Sequence, residues 1–312
     1  MYYVIASGKK SSKRAKEYLD KLEVKLQERK IEHKILVCPD ILQATEYTRH
    51  ACQQKDCEAI IALGGDGTFF EVINGLDTRI PVGFIPAGTG NDFARTLGIG
   101  LDIDECLDNI MKNEPKYLDY LKIGDKRCFN VAGSGFDIQL LKREEKIRHK
   151  YKGRTSYHIA LFQTILFLKF NKIKYRIDDE EEWHEQKFFM MDACNGRWGG
   201  GMMPICIDAE PHDGLMDFVV IDKFPRIKLL PLLLTFQKGL LYKKKYYHHY
   251  KCKKVEIDIE PKLEINLDGE LFNMFPVTIE IVHNECKYFP SSKQPVDPLT
   301  VLGDRKLRKT TV

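Results

Sequence analysis

Residues 1–122 alternate short apolar runs with polar, amphipathic stretches, and that rhythm admits few folds. Tyr2–Ile5, Ile35–Val37, Ala59–Leu63 and Val82–Ile85 read as strands, while Ser11–Arg29, Leu42–Gln54, Thr68–Gly75 and Asn91–Leu97 read as helices. Strands that each hand over to a helix build a parallel sheet with helices on its faces. Beyond this point the rhythm changes. Tyr117–Ile123, Arg127–Ala132, Lys174–Ile177, Lys187–Cys194, Met216–Ile221, Lys254–Ile259, Leu263–Leu267 and Val277–Ile281 follow as β-like runs, with helices expected only at Ser156–Phe170 and Arg226–Leu241. The expected fold is therefore α/β plus β: an α/β domain over residues 1–122 and a β-sandwich domain with inserted helices over 123–289. The final segment, 290–312, either trails as a tail or packs back on the first domain. A chain of 312 residues is long enough for roughly two such domains.

Two of the expected strand–helix junctions are rich in glycine. The first reads EAIIALGGDGTFFEVINGL, with Gly64-Gly65-Asp66-Gly67-Thr68 between strand and helix. Glycine lets the backbone turn sharply and approach a phosphate, and the N–H groups that open the next helix favour an anion. Asp66 conflicts with that reading unless a bridging Mg²⁺ or a sugar hydroxyl meets it. Thr68 can cap the helix or donate to a phosphate oxygen. The loop is neither a Walker loop, which requires a Gly-Lys pair, nor a dinucleotide fingerprint, because Thr68-Phe69-Phe70 stands where the last glycine of G-x-G-x-x-G would fall. The second junction, VGFIPAGTGNDFARTLGI, repeats the arrangement with Gly88, Thr89 and Gly90 before Asn91 or Asp92 as a helix cap. Two such loops on neighbouring strands point to one nucleotide site.

With both loops in view, the sequence resembles the diacylglycerol kinase catalytic-domain family, in particular the bacterial soluble lipid kinases related to sphingosine kinases. GGDGTFFEVINGL and PAGTGNDFART resemble its nucleotide motifs, and GGGMMPICIDAEPHDGLMD and LDGE resemble two motifs of its C-terminal domain. The resemblance implies ATP-dependent phosphoryl transfer to a lipid hydroxyl in a cleft between the two domains. It implies that Gly64, Gly65, Asp66, Gly67, Thr68, Phe69, Phe70, Gly88 and Thr89 hold ATP, with Ser7 and Gly8 adding phosphate contacts. At Ser7 and Gly8 the chain departs from the pattern, because the Asn-Pro that precedes a Ser-Gly in the family is absent from ASGKKSS.

In LEINLDGELFNMF, Asp268-Gly269 is a hairpin signal between two strand-like runs. By composition Glu270 is a polar strand residue; by resemblance it is the general base, and Asp66 joins it in the catalytic set. EPHDGLMD brings Glu210, Asp213 and Asp217 together, which by spacing alone is an acidic turn. The resemblance implies a structural Mg²⁺ there, held by Glu210, Asp213 and the carbonyl of Leu215, and a second Mg²⁺ that travels with ATP near Asp66. His212 reads as a solvated loop residue, and Trp198 as packing for the turn that follows it.

The net charge of +4 is too mild to imply nucleic acid, and no nucleic-acid-binding motif is present. The nine cysteines are scattered without a C-x-x-C pair, which reads as buried thiols in a reducing cytosol rather than a disulfide framework or a zinc motif. MYYVIASGKK lacks the features of a secretion signal, and the apolar stretches are too short or too interrupted to span a bilayer. Tyr242–Lys254 interleaves six lysines with four tyrosines, a composition suited to an anionic membrane surface. A second, more mixed basic region is Lys142–Arg154. The expected protein is thus a cytoplasmic enzyme bound peripherally to the inner face of the cell membrane, with ATP and a membrane lipid as partners and a homodimer as a further assembly. Diacylglycerol is the expected acceptor. Phosphatidylglycerol, an undecaprenol-like alcohol, a sphingoid base or NAD remain alternatives, as does a catalytically silent nucleotide-binding regulator.

Overall fold

The computed structural model describes residues 1–7, 13–151, 154–229, 231, 241–260 and 263–298. The first half runs β1 (Tyr2–Ser7), α1 (Lys13–Glu28), β2 (His33–Cys38), α2 (Ala44–Cys52), β3 (Ala59–Gly64), α3 (Asp66–Gly75), β4 (Val82–Pro86), α4 (Asp92–Thr96) and α5 (Ile103–Lys112). Its strands pair in parallel in the order β4-β3-β1-β2. Every residue of β3 and β4 is buried, as expected of central strands covered by helices on both faces. On α1, Leu22 and Leu26 stand one turn apart and are both fully buried.

The second half holds β5 (Lys116–Ile123), β6 (Lys126–Cys128), β7 (Val131–Gly135), α6 (Phe136–Arg148), α7 (Arg154–Phe167), β8 (Asn171–Ile177), β9 (His184–Cys194), β10 (Trp198–Gly199), β11 (Met203–Pro204), β12 (Met216–Asp222), β13 (Tyr247–Cys252), β14 (Lys254–Glu260), β15 (Ile265–Leu267), β16 (Glu270–Phe272) and β17 (Val277–Tyr288). Its pairings are antiparallel, and alternate residues of β8 and β14 point into a shared interior. β17 joins the halves: it pairs antiparallel with β5 and β14, and its last residue, Tyr288, pairs in parallel with Val82 of β4. Residues 289–298 then return to the first half, where Asn109 binds Ser292 and Val296 donates to the carbonyl of Arg95.

Three departures from the sequence expectations have physical causes. Ile103–Lys112 is a helix that the strand–helix rhythm did not register, although Asp102 caps it by accepting from Glu105 N at 2.9 Å. Phe136–Arg148 is likewise helical, so much of the basic region Lys142–Arg154 lies on α6. The run Arg127–Ala132 splits into β6 and β7, because the backbone between them turns to meet Asp268. Of Arg226–Leu241 only the ends are described, including a 3-10 turn at Arg226–Lys228, and the intervening part of that expectation lies outside the described residues.

Candidate active site

In the parallel sheet the chain moves from β1 to β2 on one side, then crosses back to β3 and β4 on the other. The reversal falls between β1 and β3, the place where open parallel sheets bind ligands beyond their carboxyl ends. Ser7 closes β1 there, opposite Cys38 of β2, and Gly8 lies outside the described residues. The preceding residue, Ala6, pairs with Leu63, so the β1 end adjoins the loop that begins at Gly64.

The close neighbour that the glycines require is, first of all, protein. A Cβ on Gly88 would lie 2.4 Å from Gly65 Cα, and one on Gly65 would lie 3.0 Å from Gly88 Cα. Ala87 N donates to the Gly64 carbonyl at 2.7 Å, so the two loops are fastened backbone to backbone. A Cβ on Gly64 would fall 2.3 Å from Thr68 Oγ1. Thr68 is therefore buried against its own loop, and α3 starts without a side-chain cap, contrary to the capping role expected of it. Thr89 is exposed at the tip of the second loop. Asn91 takes a left-handed backbone (φ 52°), and its side-chain amide exchanges hydrogen bonds of 3.0 Å with the N–H and C=O of Gly88.

The rings of Phe69 and Phe70 face the protein interior, so any part they take in holding nucleotide falls to their backbone. Phe69 is buried in the core of the first half, stacked on Phe84 with ring centroids 4.5 Å apart. Phe70 is buried in the sandwich core and faces Phe272. Adjacent residues of α3 thus anchor two cores. Asp66, by contrast, remains partly accessible at the start of α3, where Oδ1 accepts from Phe93 N at 3.2 Å. Burial and then the neighbouring Asp92 raise its pKa above the ordinary carboxylate value. Asp92 itself accepts from Gly201 N at 2.7 Å and Met202 N at 2.6 Å, and pairs with Arg95. It ties the second loop to the glycine-rich turn of the sandwich half, a role beyond the helix cap that its sequence position suggests.

Glu270 opens β16 immediately after a two-residue turn in which Asp268 and Gly269 both have positive φ, 50° and 107°. Asp268 is half-buried, and its carboxylate accepts from Phe129 N (2.8 Å), Val131 N (2.9 Å), Asn130 N (3.1 Å) and Cys128 Sγ (3.1 Å). Burial pushes its pKa up to about 6 against the pull of these donors. The fastening holds Glu270 in a cavity of about 340 Å³, lined by Phe70, Glu71 and Asn74 of α3 together with Lys126 and Phe272. Burial, then the charge of Glu71, raises the Glu270 pKa above its usual 4.5. α3 is the common element, carrying Asp66 in its first turn and Glu71 opposite Glu270. A larger groove of about 570 Å³, lined by Arg197, Asp208, Glu210, Gln294, Pro295 and Asp297, includes none of the residues expected to hold nucleotide.

The expected structural metal ligands lie in one turn but are already compensated. Glu210 meets Arg197 Nη2 at 3.0 Å and His212 at 2.8 Å. Asp213 receives Lys251 Nζ at 2.7 Å and the N–H of Leu215 at 3.0 Å. The oxygens suit Mg²⁺, which would bind there in exchange for the ion pairs of the two carboxylates with Lys251 and Arg197. His212 is exposed, as its loop position suggests, and its ring also bridges Glu210 and the Tyr288 hydroxyl. Trp198 is fully buried beside Arg95, in keeping with a packing role.

The comparisons with known proteins agree with this architecture. Residues 1–123 match the diacylglycerol kinase catalytic domain, and residues 130–288 match the YegS C-terminal NAD kinase beta sandwich-like domain. The chain is 28% identical over 234 residues to a diacylglycerol kinase of Bacillus subtilis (strain 168), spanning 73% of this chain and 77% of that protein. The crystal structure of a diacylglycerol kinase from Bacillus anthracis str. Sterne superposes with a TM-score of 0.72 at 25% identity, covering 93% of this chain and 97% of that one. An NAD kinase from Archaeoglobus fulgidus in complex with ATP shares the fold, with a TM-score of 0.52 at 14% identity over 94% and 95% of the two chains. The chain belongs to the family defined by these two domains in succession, a diacylglycerol kinase catalytic domain followed by a YegS C-terminal NAD kinase beta sandwich-like domain, and it is a lipid kinase.

Two substitutions test this geometry. Gly88→Ala drives a Cβ into the backbone of the other loop and is expected to lower unfolding free energy by ~1–3 kcal/mol in denaturant titration. Asp268→Ala leaves buried donors without an acceptor and is expected to cost about 3 kcal/mol. Stability equal to wild type in either variant would remove the packing role assigned to that residue.

Proposed function

We propose that the protein transfers the γ-phosphoryl group of ATP, with Mg²⁺, to the hydroxyl of diacylglycerol, yielding phosphatidic acid and ADP. The observation that carries this reading is the placement of Glu270 in a cleft facing α3, the helix whose first turn belongs to the paired glycine loops. A carboxylate made more basic by burial and by Glu71 suits a general base. Glu270 takes the acceptor hydroxyl proton as the new O–P bond forms and the bond from phosphorus to the ADP oxygen breaks. The N–H groups of the glycine loops and of the start of α3 position the phosphates. Asp66 fits a divalent ion, because the mutual repulsion of Asp66 and Asp92 is the kind a cation relieves. Mg²⁺ bound there would neutralise charge on the phosphates. The diacylglycerol kinase of Bacillus subtilis supports the choice of acceptor.

For the membrane contact we retain only part of the stretch Tyr242–Lys254 and join it to an apolar surface beside it. Tyr247–Cys252 is strand β13, in which His248 meets Asp222, His249 meets Asp217 and Lys251 meets Asp213. Only Lys243, Lys244 and Lys245 remain as an exposed basic cluster before it. Nearby, α7 exposes Phe162 (61%), Leu166 (50%) and Phe167 (61%), and both α7 and Tyr246 pack on the same apolar cluster. Exposed Lys146 and Lys150 of the neighbouring helix segment add positive charge. We assign this combination to an anionic bilayer, where apolar rings enter the interface and lysines meet headgroups. Among the described residues no helix is long and apolar enough to cross a membrane.

Glu270→Gln is expected to abolish diacylglycerol-dependent ADP release while leaving ATP binding intact; full activity in the variant would reject the base. In wild type the acid limb of the rate profile should lie above pH 4.5, since activity is lost as Glu270 gains its proton, and Glu71→Gln should move that limb to lower pH. An unmoved limb would separate Glu71 from the base. Replacing Phe162 and Phe167 together by Asp should cut sedimentation with anionic vesicles on the order of tenfold without changing ATP affinity; unchanged sedimentation would relocate the contact.

A further inference from the structure

Outside the cleft, three side chains from separate segments converge. Cys206 follows β11, Asp217 lies on β12 and His249 on β13, and one ligand atom from each lies within 4.8 Å of the others. In the β12–β13 ladder Asp217 pairs with Lys251 and Val219 with His249, so Asp217 and His249 share a sheet face as diagonal neighbours. His249 Nε2 is 2.5 Å from Asp217 Oδ1 and 4.0 Å from Cys206 Sγ. Asp217 is 0% exposed, and its other oxygen, Oδ2, has no hydrogen-bond partner, with Lys251 Nζ standing off at 4.0 Å. A fully buried carboxylate oxygen left in that state is costly unless something else meets it.

Two readings other than a metal fit less well. In a Cys–His–Asp nucleophile relay, the two ring nitrogens are divided between thiol and carboxylate, whereas here Nε2 faces both. A simple ion pair of His249 and Asp217 satisfies Oδ1 and leaves the buried Oδ2 without a partner.

We propose that Cys206, Asp217 and His249 form a binding site for Zn²⁺ or a divalent ion of similar character. One sulfur, one nitrogen and one carboxylate oxygen are the donor set that such an ion takes in tetrahedral coordination, and one that Mg²⁺ and Ca²⁺ avoid. Three protein ligands leave a fourth position for water on the side of His249, whose side chain is 26% exposed. On binding, the Cys206 proton leaves to solvent, the proton between His249 Nε2 and Asp217 Oδ1 is given up so that the ring is neutral with its hydrogen on Nδ1, and the thiolate sulfur and Nε2 bond the ion; no electron is transferred. The thiolate and the Asp217 carboxylate balance the two charges of the metal. Cross-linking β12, β13 and the segment after β11, the ion clamps the turn Glu210–Leu215 that lies between two of its ligands. The site is independent of the phosphoryl-transfer reading.

The test is titration of the purified full-length protein with Co²⁺, followed by displacement with Zn²⁺. The expected result is one equivalent with a thiolate-to-cobalt charge-transfer band, loss of that band in Cys206→Ser, and metal affinity weakened on the order of tenfold or more in His249→Gln. Zn²⁺ should also raise the melting temperature of wild type more than that of His249→Gln, a comparison that holds even if Cys206→Ser folds poorly. Absence of the charge-transfer band, its persistence in Cys206→Ser, or equal Zn²⁺ stabilisation of wild type and His249→Gln would each overturn the assignment.

Discussion

A one-residue slip of a strand sends its side chains to the opposite face, so the candidate base depends on whatever fixes the turn before it, and here that is Asp268. Its side chain accepts from three consecutive backbone N–H groups and a thiol of the β6–β7 connection, so the hairpin cannot slide without leaving several buried donors unmet. Glu270, two residues on, inherits that position and faces Glu71 across the cleft. The same connection runs back to the first half through Arg127, which donates to the carbonyls of Ile73 and Leu76 at the end of α3. A chain of hydrogen bonds therefore links the base to the helix that begins in the glycine loop.

The halves are held by similar means elsewhere. Asp92 receives the N–H groups of Gly201 and Met202, Phe69 and Phe70 anchor separate cores from adjacent positions, and β17 carries the sheet from one half into the other. The glycines of the two loops serve this assembly before they serve a ligand. With Gly65 and Gly88 in contact, the two loops form one joined surface rather than two independent turns.

Much of this was legible in the sequence, and what was not has a common cause. The strand–helix rhythm, the glycine junctions and the Asp268-Gly269 turn are local signals, set by period and backbone conformation, and the strands, loops and hairpin appear where those signals fall. Partners remote in sequence left no such trace. Nothing near Asp92 announces Gly201, nothing near His212 announces Tyr288, and Lys251 within a basic run gives no hint that it neutralises Asp213. Phe69 and Phe70 resemble motif residues, yet their side chains face inward because α3 lies between two cores. Helix α5 is a different kind of omission, since Asp102 and Glu105 offered a local cap signal that the strand–helix rhythm obscured.

The most direct test of the account is transfer of label from γ-labelled ATP to lipid, using the purified protein, Mg²⁺ and anionic vesicles with or without diacylglycerol. The account predicts labelled phosphatidic acid only when diacylglycerol is present, with ADP formed in equal amount. Measurable ATP binding with no labelled lipid, or transfer to NAD in place of lipid, would contradict it.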